Sequence, residues 1–119
     1  MAVNRRLVSS HFPYLPLRLS VGDYSGSLEA LVDTGFDGDV ALPPGLLANG
    51  GSPDEYLTWA LADGSEVLAA AFLGAARLSD LDPFPVLVTV LGDEPLMGRG
   101  VIDRFRVILD HGQRVVLEP

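Results

Sequence analysis

This sequence predicts an all-β fold with little helix, on three observations. Nine prolines and thirteen glycines are spread along 119 residues, so the chain is punctuated too often for long helices. Apolar residues recur with period two, as in Leu15-Pro16-Leu17-Arg18-Leu19-Ser20-Val21, the spacing that turns alternate side chains to one face of a sheet. Turn clusters such as Gly22-Asp23-Tyr24-Ser25-Gly26 and Asp63-Gly64 fall between such runs, where hairpins need them. The length and the 48% hydrophobic content fit one domain over residues 1–119.

In chain order, Leu15–Val21 and Ser27–Val32 form a hairpin that runs directly into Asp33. Residues 36–42 return to extended character, and Pro43-Pro44-Gly45-Leu46-Leu47 starts one helical turn, since proline is accepted at a helix N-terminus. Asn49 to Pro53 is loop. Tyr56–Ala62 meets Asp63-Gly64, the dipeptide most favourable to a tight turn, and Ser65–Leu68 leads back as a second hairpin. Ala69–Leu78 and Phe84–Leu91 are two further apolar strands, separated by a turn at Ser79–Pro83. The apolar positions 101, 102 and 105 suit a short amphipathic helix over Val101–Phe105. Arg106–Asp110, His111-Gly112 and Gln113–Leu117 close the chain as a last hairpin.

Charge and composition remove several function classes. Sixteen acids stand against eight arginines, there is no lysine, and the formal charge is −8, so neither a basic groove for nucleic acid nor a polybasic membrane patch is expected. Without cysteine there is no disulfide, thiolate nucleophile or thiolate metal site, and the chain suits a reducing compartment. No apolar run approaches a membrane span and no signal-type h-region follows Arg5-Arg6, so the expected location is cytoplasmic. Asp37-Gly38-Asp39 lacks the remaining ligands of a calcium loop. His11 and His111 have no spaced partner for a metal, and Ser9-Ser10-His11 is not a serine-hydrolase elbow. No metal or cofactor is expected.

The most informative run is Glu29-Ala-Leu-Val-Asp33-Thr34-Gly35-Phe36, an apolar strand ending in Asp-Thr-Gly that occurs once. With Leu96-Met97-Gly98-Arg99 near the end and the Asp63-Gly64 hairpin between them, it resembles the retropepsin-like aspartic proteases over roughly residues 14 to 118. Phe36 after the triplet looks most like the small prokaryotic members. The resemblance implies a small closed β-barrel with one short C-terminal helix, working as a homodimer because one chain carries one triplet.

Peptide hydrolysis without a metal needs a base to deprotonate water and an acid to protonate the carbonyl, facing each other. Two aspartates serve as both, and a C2 dimer sets the same residue on its axis twice. The resemblance makes Asp33 of each subunit a member of that dyad, has Thr34 lock the two loops across the dimer, and leaves Gly35 as bare backbone beside an extended peptide or protein substrate. It also implies a flap around Asp63 and Gly64, with Trp59 and Leu61 or Ala62 and Ser65 as substrate contacts depending on register. The resemblance further implies that Asp37 and Arg99 form an ion pair beneath the active-site loop, partly buried and bidentate. The rival reading is a catalytically inactive dimeric peptide-binding module on the same fold.

Overall fold

A computed structural model describes residues 6–47 and 51–119. It contains ten strands and one helical turn among those residues: β1 (Leu7–Ser9), β2 (Tyr14–Val21), β3 (Tyr24–Val32), β4 (Val40–Leu42), β5 (Glu55–Ala60), β6 (Glu66–Arg77), β7 (Phe84–Val90), β8 (Leu96–Met97), α1 (Arg99–Ile102), β9 (Arg106–Asp110) and β10 (Arg114–Glu118). The expectation of an all-β chain with one short C-terminal helix holds.

Six strands close on themselves in the order β2-β3-β8-β4-β7-β6, with β6 returning to β2. The closure pairs Arg18 with Arg77, Leu19 with Ala76 and Ser20 with Ala75. A barrel results, with no free edge around its ring. Its interior follows from the period-two pattern: Leu15, Leu17, Leu19 and Val21 all point inward from β2 and are almost completely buried, while Arg18 and Ser20 face out. Val40, Leu42, Val88 and Met97 meet them from the other strands. Gly74 is needed at the closure, since a Cβ there would lie 2.6 Å from the Ser20 carbonyl oxygen.

β6 differs from the sequence expectation. The Ser65–Leu68 and Ala69–Leu78 runs merge into one 12-residue strand, Glu66–Arg77. Its first half pairs with β5, from Ala60 opposite Glu66 to Glu55 opposite Ala71, and from Ala71 onward it pairs with β7. The hairpin therefore projects from the barrel on a strand that belongs to the barrel. Residues 44–47 form turns rather than a helical turn, and the helix covers Arg99–Ile102 rather than 101–105. The expected loop at Asn49 lies partly outside the described residues.

The ends of the chain form a separate three-stranded sheet in the order β1-β10-β9. Leu7 lies opposite Leu117 and Leu117 opposite Val107. Val115 and Leu117 join the barrel's hydrophobic core. No described helix is long and apolar enough to cross a membrane.

Candidate active site

Asp33 follows the last residue of β3, and that end is held from two sides. β3 runs parallel to the two-residue β8, with Leu31 beside Leu96 and Val32 beside Met97. The Leu31 N–H donates to the Pro95 carbonyl at 2.9 Å, the Asp33 N–H to the Met97 carbonyl at 3.0 Å, and the Val32 N–H to the Pro13 carbonyl at 3.0 Å. The backbone entering the Asp-Thr-Gly loop is thus fixed before the loop begins. Inside it, the Gly35 N–H donates to Asp33 Oδ1 at 2.9 Å and the Phe36 N–H to the Asp33 carbonyl at 3.3 Å. Thr34 and Gly35 are exposed.

The loop after the triplet caps α1. The first N–H groups of a helix have no partner within it, and Gly98 at the N-cap offers no side chain. Loop carbonyls take their place: Gly98 N–H donates to Asp39 O at 2.8 Å, Arg99 N–H to Phe36 O at 2.8 Å, and Gly100 N–H to Gly38 O at 3.1 Å. Such close approach requires small residues. A Cβ on Gly98 would lie 2.1 Å from the Gly38 carbonyl oxygen, and one on Gly100 would lie 1.8 Å from Asp39 Oδ1.

Asp39 is a residue the sequence reading dismissed along with the calcium loop. Its Oδ2 accepts the Leu87 N–H at 2.8 Å, so the carboxylate ties the loop to β7 just before β4 begins its own pairing at Val40 and Val88. The signal for it was the Gly98-x-Gly100 spacing, which marks a site of close backbone approach.

The expected Asp37 to Arg99 contact has a different character. Arg99 Nη1 lies 3.7 Å from Asp37 Oδ1 and its Nη2 3.7 Å from Asp103 Oδ2, with the Asp37 side chain 81% exposed and that of Arg99 54% exposed. The guanidinium is shared between two acids at the surface, neither buried nor bidentate, and a pair of this kind is worth about 0–1 kcal/mol. The clamp is made instead by the backbone bonds and Asp39.

Above the loop, the β5–β6 hairpin turns at Leu61–Ser65. Asp63 Oδ1 accepts the Ser65 N–H at 2.9 Å and the Ser65 hydroxyl at 2.6 Å, and the hydroxyl bond first of all holds the carboxyl below its usual range. Gly64 has φ +87, in the left-handed region that suits glycine. Between hairpin and loop lies a cleft of about 470 Å³. Asp33, Phe36 and Asp37 line it from below and Trp59, Leu61 and Ala62 from the hairpin. Asp63, Gly64 and Ser65 do not line it and build the turn. The cleft therefore takes members of both register alternatives, because the chain leaves the strand after Ala60.

Phe36 is buried, and its ring meets the Trp59 indole with centroids 5.0 Å apart and planes at 47°. The residue after the triplet therefore packs upward against the hairpin. To the side, the Tyr14 hydroxyl donates to Glu94 Oε1 at 2.6 Å, a bond that pushes the phenol above its ordinary value. His11, exposed, contacts the Glu29 carboxylate and stacks on Tyr14. His111 is exposed beside Asp110. The described residues hold no group of three or more potential metal ligands from His, Cys, Asp and Glu.

Among solved structures, the chain superposes on the crystal structure of a retropepsin-like aspartic protease from Rickettsia conorii with a TM-score of 0.66, covering 99% of this chain and 95% of that one at 16% sequence identity. The fold is retropepsin-like. Family models and curated proteins give no match to this chain. Within the retropepsin-like barrel, the strand-to-triplet junction, the projecting hairpin and the Leu-Met-Gly strand meet around one cleft.

Proposed function

We propose that the protein is an aspartic endopeptidase whose dyad forms between two copies of the chain, one Asp33 from each. The observation that carries the reading is the placement of Asp33: a carboxylate on a backbone-braced loop, facing a cleft roofed by a hairpin. Two carboxylates about 3 Å apart cannot both ionise, so a pair of them shares one proton. The ionised member takes a proton from water while the protonated member supplies one to the substrate carbonyl. Gly35, exposed and without a side chain, leaves room for an extended peptide beside the dyad. The hairpin closes over it and excludes water.

The test is cleavage of a mixed peptide library from acid to neutral pH, read by mass spectrometry, for wild type and Asp33→Asn at concentrations that favour dimers. Cuts by wild type that vanish in a folded, dimeric Asp33→Asn protein are the expected result. A dimeric wild type that leaves every peptide intact would instead assign the chain as an inactive peptide-binding module.

A further inference from the structure

Trp59 is the one tryptophan of the chain. Its indole Nε1 is the single buried side-chain nitrogen or oxygen among the described residues that meets no hydrogen-bond partner. An indole N–H can only donate, and buried tryptophans ordinarily find an acceptor. Here the indole is placed by packing: it lies against Phe36, and its Cη2 stands 3.0 Å from where a Cβ on Gly38 would be. The N–H is thus held by a well-fitted aromatic contact in a position that leaves it unsatisfied. The same residue lines the cleft with Asp33.

The chemistry around the cleft restricts what the acceptor can be. Its charged lining residues are Asp33 and Asp37, which repel a carboxylate or phosphate, so a neutral oxygen is favoured. A peptide lying extended through the cleft presents such oxygens at every residue, whatever its sequence. We infer that Trp59 is a substrate-binding residue whose indole N–H donates to a main-chain carbonyl of the bound peptide, with Phe36 as the support that aims it. The inference rests on reading the cleft as a peptide site. Because Nε1 is covered when the cleft is empty, the hairpin must lift or the ring must turn as the peptide enters. The unsatisfied donor disfavours the empty closed state and is relieved on binding.

A lone tryptophan makes this measurable in the full chain. A random-sequence peptide mixture is titrated into Asp33→Asn protein while Trp59 emission and its quenching by acrylamide are followed. In parallel, equilibrium dialysis of the same mixture compares Asp33→Asn with Asp33→Asn/Trp59→Phe, which keeps an aromatic ring on Phe36 and loses the donor. The expected result is a saturable change in emission, with retention about tenfold weaker in the Phe variant while both proteins stay folded at the assay temperature. Equal retention by both proteins overturns the inference, and so does an emission spectrum that peptides leave unmoved. Emission that follows protein concentration and not peptide gives the donor to a second copy and overturns it too. Wild-type cleavage of the same mixture is scored separately. Cutting with a silent indole removes only this inference, whereas a responsive indole without cutting removes only the peptidase.

Discussion

The floor of the cleft and its roof are built on opposite terms. The floor is a short stretch of β3, β8 and the α1 N-terminus tied down by backbone bonds: three N–H groups from residues 98–100 donate to loop carbonyls, and three more brace residues 31–33. The roof is a two-stranded hairpin whose outer strand β5 pairs only with β6. Its Tyr56 is 60% and its Leu68 66% exposed, and its cross-connection to the floor is the Phe36 to Trp59 contact. Local stability follows buried contacts and protected hydrogen bonds, so the roof opens at lower free energy than the floor. The carboxylate pair proposed above would need fixed geometry, and its substrate an entrance.

The sharpest way to break that comparison is to overfill one glycine in each region. Gly98→Ala drives a methyl group into the Gly38 and Phe36 carbonyl oxygens, at 2.1 and 2.8 Å, and should cost about 3 kcal/mol by overpacking. Gly64→Ala meets no atom within 4 Å and is disfavoured only by its φ of +87, at about 1 kcal/mol. Urea unfolding of the two variants measures both. Equal losses would mean that the roof is as tightly built as the floor.

Asp39→Ala comes next. It leaves the Leu87 N–H without its acceptor and should lower stability by about 1–2 kcal/mol in the same urea experiment. An unchanged midpoint would show that the bridge from the loop to β7 is dispensable.

The smallest effect is confined to the roof and depends on pH. Asp63 has its carboxyl held below the ordinary value by Ser65. A folded value below the unfolded one means that the turn is supported above the usual carboxylate range, and that the support is lost as pH falls through the lowered folded value. Amide protection at Ser65, measured by hydrogen exchange, should therefore decline across that acidic window while protection at Gly98 stays constant. Asp63→Ala should remove the step. A parallel decline at Gly98 would tie roof and floor into one unit.

Sequence legibility divides along the same line. The Asp63-Gly64 turn is legible as a local turn pattern, whereas Asp33 and Leu96-Met97-Gly98 stand out only through the resemblance, which carries the retropepsin-like fold. The two halves of β6 were not seen as one strand because Ala69-Ala70-Ala71 has no alternation to mark continuity. Both Ala69 and Ala71 are buried, and Phe72 is buried immediately after them, where the strand changes partners. The helical turn expected after Pro43-Pro44 failed because proline permits a helix start without supplying apolar residues to hold it. The resemblance implies Arg99 as one half of a partly buried clamp with Asp37, yet side-chain exposure is a tertiary property, and Asp103 on the same helix competes for the guanidinium. The unpaired Trp59 nitrogen depends on contacts between segments far apart in the chain, which no local pattern encodes, and for Asp39 the Gly98-x-Gly100 spacing marks a close approach without naming the partner.

The pairing of Leu7 with Leu117 and of Ser9 with Val115 also bears on how the molecule comes into being. β1 finds its partner only in β10, far along the sequence, and β3 likewise waits for β8. Contacts of such long sequence separation slow folding, because the intervening chain must be ordered before they form. The barrel therefore cannot close until β8 has been made. The Asp33 loop, braced by residues 95–100, cannot be assembled before then.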